Sequence, residues 1–530
     1  MSKRVINENS VYANNSTGPE ISRRHLLRTA AVGSVGLAAT ALASPVADAA
    51  PAPKRGGNLR LGMTGGSSSD TIAADNTVTQ LDTPRIMMLF EPLVSVDRDG
   101  VVGNILAESL EPDKTAREWT IRLKKDVVFH NGKKLTAADV AFTFRHIADP
   151  KNPLPGATAL LPIDLANMKV LDDLTLRVPM KIPYADFPGG MSAPEYFGIV
   201  PVGYDPKNPV GTGPFRYKSF TPGQQSVFLR NDNYWRHGLP YLDEVTAIDF
   251  ATEAAAFNAL QGGEIDVFSQ APLSLLSQIQ PGGPIKAMLS KPGQWVPFTM
   301  RVDRPPFNDP NVRLALKLLV DRPQMLDVSL NGHGMIGNDV FSPWDRGFDK
   351  SLVRARDVAH AKHLLRKAGK EDLKIELVTS HIAQGAVRAA QVLAEQAKAA
   401  GVHIRLRKVT TDVMYGPNYL KWDFSQDWWN YKPYLAQVAM ELLKTSPFNE
   451  THWNDAAYTK LYMQAQATLD AAKRYEIMHE MQKIDFETGG LIIPSFNDQV
   501  DLMRGTVHGF KPSRTGYSLG NFMFAEAWMS

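Results

Sequence analysis

The chain has 530 residues, 44% of them hydrophobic and 21% charged, and no cysteine. That length points to about three or four domain-sized units. Lys and Arg number 58 against 55 Asp and Glu, a formal charge of +3, so no strong field calls for nucleic acid or an anionic membrane surface. Without cysteine there is no disulfide, thiol nucleophile, cysteine-ligated metal or lipidated thiol.

The first 49 residues read as an export signal. Arg23 and Arg24 precede a weakly apolar run, Thr29 to Ala43, and Ala47-Asp48-Ala49 supplies the small residues of a cleavage site. Paired arginines before a mild apolar stretch match a twin-arginine (Tat) signal. The run is too short for the ~20 residues that span a bilayer.

Leu59 and Leu61 open a strand by alternation, and Trp119, Ile121 and Leu123 mark another. Asn131-Gly132 signals a turn. Thr136 to Asp139 is a capping-box variant that opens a helix through Ile147. Thr221-Pro222-Gly223-Gln224 turns one strand, Phe215 to Phe220, into the next, Ser226 to Leu229. Glu253 to Gln261 is a helix closed by Gly262-Gly263, with a strand from Ile265 to Val267 after it.

The second half is richer in helices. Pro310 opens one, and Asp357 caps another that ends at Gly369. Leu373, Ile375 and Leu377 alternate, Ala383 to Ala400 is helical, and Val402, Ile404 and Leu406 alternate again. That strand–helix–strand unit favours parallel pairing. Asp455 to Thr488 reads as two helices with a restart near Asp470, and Leu491 to Phe496 as a buried strand. The pattern is mixed α/β with at least two lobes.

Catalytic motifs fail on context. Gly516-Tyr517-Ser518-Leu519-Gly520 fits G-x-S-x-G, but no histidine follows Ser518, as a hydrolase elbow requires; a surface turn is expected. Gly332 to Gly337 fits G-x-G-x-x-G, but a helix precedes it rather than a strand; a glycine-rich loop is expected. His360 and His363 share a helix face without a third ligand or base, and His452 stands in a loop. No metal or cofactor site is expected.

Trp422, Asp423, Phe424, Asp427, Trp428, Trp429, Asn430 and Tyr431 crowd aromatics and acids together. A buried aromatic strand is one reading. A ligand cleft, with aromatic walls and a few polar groups, is the other.

Several stretches together resemble one family, the family 5 extracellular solute-binding proteins of ABC importers (the peptide, nickel and opine class). They are Glu91 to Val94, Leu106 to Ser109, Phe129 to Gly132 with Leu135 to Val140, Gly211 to Phe215 with Asn233 to Trp235, Gly262 to Val267, Pro306 to Asp309 with Arg313 to Leu316 and Asp321-Arg322, and Ala361 to Gly369. They run in order along nearly the whole chain after the signal.

The resemblance implies a two-lobed α/β fold of the periplasmic-binding-protein type II kind. Lobe I would be 50–299 with an extra subdomain at about 94–205, lobe II 300–490, and 491–530 a return to lobe I. It implies a non-enzymatic monomer that captures a peptide-like or amino-acid-derived solute by lobe closure and delivers it to a membrane permease. Expected contacts are Asp427, Trp428, Trp429, Asn430 and Arg301 from lobe II, and Tyr196 and Phe197 from lobe I. Peptide binders of the class place an acid shortly after the tryptophan, where this chain has Lys432, which suits a carboxylate-bearing solute. Arg301 has a surface salt bridge as its plainer role. A nickel receptor, which would need a histidine such as His452 in the cleft, and a secreted hydrolase using Ser518 are the alternatives. The expected location is the periplasm, reached through the Tat machinery without a lipid anchor.

Overall fold

A seven-strand path forms the largest sheet, in the order Ile285–Trp295, Ser495–Arg504, Val267–Ala271, Asn58–Thr64, Glu244–Phe250, Gln225–Arg230 and Phe215–Thr221. The computed structural model describes residues 52–74, 77 and 81–530, apart from the Pro292 side chain. Residues 53–530 form one compact unit, and the expected export signal at 1–49 lies outside the described residues. The central strand Asn58–Thr64 runs parallel to both neighbours, as a sheet covered on both faces allows. Its Leu59, Leu61 and Met63 are buried with Phe215, Phe228 and Val245.

A separate four-stranded sheet is inserted in this lobe. Its order is Ala107–Pro112, Glu118–Leu123, Thr175–Pro179 and Lys169–Asp172. Trp119, Ile121 and Leu123 pack on the helix Ala137–Ile147 through Val140 and Phe144. That helix starts at a true capping box: the Thr136 N–H donates to Asp139 Oδ2 at 3.0 Å, reciprocating the usual side-chain cap.

The second lobe is built on Phe298–Met300, which pairs antiparallel with Phe424–Gln426 and Leu491–Ile492. Beside it, Lys374–Thr379 and His403–Lys408 pair in parallel across the helix Ala386–Ala397. Asp357 caps its helix as the sequence predicts, accepting from the His360 N–H; at the expected restart, Asp470 caps the next helix by accepting from the Ala472 and Lys473 N–H groups. The chain crosses from the large sheet into this lobe at Trp295 to Phe298 and returns at Ile492 to Ser495. Each crossing contains a proline, Pro297 and Pro494.

Three local expectations differ. The strand expected at Ile265 starts at Val267, because the turn after the Gly263 cap consumes Glu264 to Asp266. The stretch expected as a glycine-rich loop contains a strand, Gly334–Ile336, paired to residues 495–497. Glycine is needed at 334, since a Cβ there would lie 2.4 Å from the Phe496 carbonyl oxygen. The turn around Ser518 is not on the surface: Ser518 is fully buried. Asp501, also buried, draws it inward by accepting from the Ser518 hydroxyl at 2.8 Å, the Leu519 N–H at 2.9 Å and the Gln270 N–H at 3.1 Å. A buried carboxylate needs such donors.

Candidate ligand-binding cleft

The two lobes leave a cleft of about 540 Å³ between them. The large sheet supplies Met63, Ser269 to Ser274 and Gln499; the second lobe supplies His381 to Arg388, Tyr415 and Trp428. The helix Ala386–Ala397 presents its N-terminal end to this space because Gly385, at φ 76°, turns the chain into it without a side-chain cap.

Trp428 is the one residue of the predicted group on this wall. Its indole is half-buried and packs with Val296, Ile382 and Met414. Asp427 is not among the cleft-lining residues. Its carboxylate accepts from the Tyr415 hydroxyl at 2.6 Å, the Tyr419 hydroxyl at 3.0 Å and the Trp428 N–H at 2.8 Å. It also shares a hydrogen bond with buried Glu450, and burial pushes both carboxyls above their ordinary range. Two acids this close hold a proton between them. Asp427 therefore braces the wall from behind.

Trp429 lies in the core. Its backbone bridges Trp295 with hydrogen bonds of 3.0 and 2.9 Å, and its ring stacks on Trp295 at 6.3 Å and meets Phe448 edge-on at 5.6 Å. Its indole N–H is nevertheless buried without a partner, and so is the Asn430 side-chain oxygen. Arg301 is not among the cleft-lining residues. Its guanidinium forms a two-pronged pair with Asp303 of 2.8 and 2.7 Å, an ion pair as in the plainer expectation but with the Arg301 side chain buried rather than on the surface. Tyr196 and Phe197 line a separate small cavity of about 20 Å³ with Lys432, Ala436 and Met440.

Lys432 and Glu195 connect these places. The Lys432 ammonium, buried, comes within 3.7 Å of Glu195 Oε1. That oxygen accepts from the Tyr517 hydroxyl at 2.6 Å, while Glu195 Oε2 is buried with no partner. A cation of the second lobe, an acid of the first and three unpaired buried polar atoms thus lie along one seam. Buried polar atoms in native proteins almost always have partners, so the seam has unused hydrogen-bonding capacity. Sequence reasoning missed Glu195 and Tyr517. The signal for Glu195 was an acid in an otherwise apolar stretch, Met191 to Ile199; Tyr517 was hidden inside the hydrolase-like motif.

His452 is not on the cleft either. Its ring nitrogen lies 2.8 Å from the Leu420 carbonyl and 3.8 Å separates the other from Asp303. Among the described residues, no group of three or more His, Asp and Glu is arranged to hold a metal ion. No described helix is long and apolar enough to cross a membrane.

The fold defines the class: it is the two-lobed, type II-like fold of periplasmic binding proteins. AgaA from A. tumefaciens R10, solved with agropinic acid, superposes with a TM-score of 0.78 at 23% identity, covering 89% of this chain and 99% of AgaA. The family model for bacterial extracellular solute-binding proteins, family 5, matches residues 102–451, and the chain belongs to that family. The glutathione-binding protein GsiB of Pectobacterium atrosepticum is 26% identical over 340 residues, 60% of this chain and 63% of GsiB. The nickel-binding periplasmic protein of Escherichia coli K12 is 30% identical over 298 residues, 53% of this chain and 56% of that protein. The chain thus spans somewhat over half the length of these relatives.

Proposed function

We propose that the protein is the substrate-binding component of an ABC importer. It captures a small peptide-like or amino-acid-derived solute between its lobes and hands it to a membrane permease. The observation that carries this reading is the cleft of about 540 Å³ between the lobes, walled by Tyr415 and Trp428; the Lys432–Glu195 seam, beside a cavity of about 20 Å³, comes into use when the lobes part. Lys432 supplies a cation for a carboxylate, and the unpaired Glu195 oxygen supplies an acceptor for an ammonium or amide N–H. A solute bearing both groups satisfies both sides at once. The Trp429 indole N–H and the Asn430 side-chain oxygen offer a further donor and acceptor. Hinge motion at Trp295 to Phe298 and Ile492 to Ser495 would open and close the site.

No covalent step is assigned to the protein. The Ser518 hydroxyl donates its hydrogen bond to Asp501 rather than to the histidine a hydrolase elbow uses. A nickel-chelate role has less support, because His452 is spent on the Leu420 carbonyl. Export through the Tat machinery, release into the periplasm without a lipid anchor, and a monomeric state complete the reading. Replacing both Arg23 and Arg24 by Lys should hold the precursor in the cytoplasm.

A thermal-shift screen over dipeptides, oligopeptides, glutathione, opines and nickel–histidine is the direct test. A compound that binds only the folded chain must raise its apparent stability. Should every class leave the melt unmoved while protein purified under mild conditions carries no solute, the receptor reading is wrong.

A further inference from the structure

One contact between the lobes uses no ligand-facing side chain. The strands Val94–Val96 and Val102–Asn104 form a hairpin. Asp97 organises its tip, accepting the Asp99 and Val101 N–H groups at 2.9 Å each. Gly100 closes the turn at φ 82°, a conformation that suits glycine. This tip is held on one side by the C-terminal return of the first lobe. The Arg98 carbonyl accepts the Arg514 N–H at 2.7 Å, and the Val96 carbonyl accepts the Asn521 amide at 3.1 Å.

On the other side the tip meets the second lobe. The Tyr431 hydroxyl donates to the Gly100 carbonyl at 3.3 Å. A Cβ at Gly100 would lie 3.0 Å from the Tyr431 ring and 3.4 Å from Trp344 Cβ. The Arg514 guanidinium sits 4.9 Å over the Trp344 ring, within cation–π range. The Tyr431 N–H, in turn, donates to the Thr515 carbonyl at 2.8 Å.

We propose that the Asp97–Gly100 hairpin tip is a clasp that holds the two lobes closed by gripping Tyr431 and Trp344, and that it does so before any solute is bound. Glycine at 100 has two duties: it makes the turn, and it leaves the space the Tyr431 ring fills. The clasp sets the closed-to-open ratio that a solute then shifts. It does not depend on the solute's identity, so its failure and the failure of the receptor reading are separate results.

The absence of native cysteine makes the test clean. Asp232→Cys in the first lobe and Lys367→Cys in the second, both at exposed positions, carry a donor and an acceptor dye. Single-molecule energy transfer on the full mature chain without added solute should show a populated high-transfer state. Tyr431→Phe, which leaves the backbone unstrained, should lower the closed-to-open ratio about fivefold, the worth of one neutral hydrogen bond. Gly100→Val should abolish the high-transfer state. Gly103→Ala is the control, since a Cβ there meets nothing within 4 Å, and should match wild type. Circular dichroism melts confirm that each variant is folded. A wild type with only the low-transfer state, or folded Tyr431→Phe and Gly100→Val chains with wild-type distributions, overturns the clasp.

Discussion

The Tyr234 hydroxyl donates to Glu91 Oε1 at 2.7 Å across 143 residues of chain. The Trp235 indole N–H and the Thr212 hydroxyl donate to the other oxygen at 2.7 and 3.0 Å. Three of the motifs that carry the family resemblance, Glu91 to Val94, Gly211 to Phe215 and Asn233 to Trp235, therefore meet on one buried carboxylate. Burial pushes the Glu91 carboxyl upward, and the three donors pull it back. Glu91→Ala strands all three donors and should cost about 3 kcal/mol of stability. Glu91→Gln keeps one acceptor oxygen and should cost less. Urea titrations of the two variants against wild type read the difference.

His130 explains a further pair of motifs. Its Nδ1 accepts the Gly211 N–H at 3.3 Å, so Nε2 carries the proton and donates to the Gly213 carbonyl at 3.0 Å. The neutral ring fits both partners, and burial pushes its pKa down to about 4. The unfolded chain, with histidine near 6.5, binds the proton more readily. Stability should therefore fall as pH drops from about 6.5 to about 4. The slope of urea midpoint against pH in that window should flatten in His130→Gln. An unchanged slope would mean the ring is free to charge in the folded state.

Much of this was legible in the sequence, and the reason differs by scale. Alternation found Asn58–Thr64 and Glu118–Leu123 because one face of each packs against a core. Caps found the helix starts at Ala137 and Val358 because the capping residue is itself the signal. The site was less legible. Asp427, Trp428 and Trp429 are consecutive, yet the first braces the wall, the second lines it and the third is core. One-residue alternation sends neighbours to opposite sides, and sequence does not say which side is the cleft. Glu195, Lys432 and Tyr517 come from three distant segments, and only the fold brings them together. Ser518 looked exposed because its glycine-rich surroundings resemble a surface turn; the buried partner Asp501 is what draws it in.

A second titration has the opposite sense to that of His130. Asp485 accepts from the Tyr434 hydroxyl at 2.5 Å and the Tyr458 hydroxyl at 3.1 Å. Burial raises its pKa to about 7. The folded chain here holds the proton more tightly than the unfolded one, whose aspartates titrate near 4. Stability from this group is present at low pH and is lost as pH rises from about 4 to about 7. Asp485→Asn keeps an acceptor for both tyrosines and removes the charge. Its stability advantage over wild type should grow across that interval and level off above it, measured by thermal melts at matched ionic strength.

The two tryptophans separate folding from binding. Trp429 stacks on Trp295 within the core, so Trp429→Ala should destabilise the fold by about 3 kcal/mol or more. Trp428 is half-buried on the cleft wall, and Trp428→Ala should cost less stability while weakening whichever solute the screen finds. Lys432→Met is the sharper probe. It keeps the stem packed beside Trp429 and removes the ammonium facing Glu195. Isothermal titration should show affinity for a carboxylate-bearing solute falling tenfold or more, the usual penalty for stripping one partner from a buried charge contact. The same solute with its carboxylate amidated should bind wild type and Lys432→Met alike. Equal losses for the free and amidated forms would remove Lys432 from the site and leave its pairing with Glu195 as a contact between lobes.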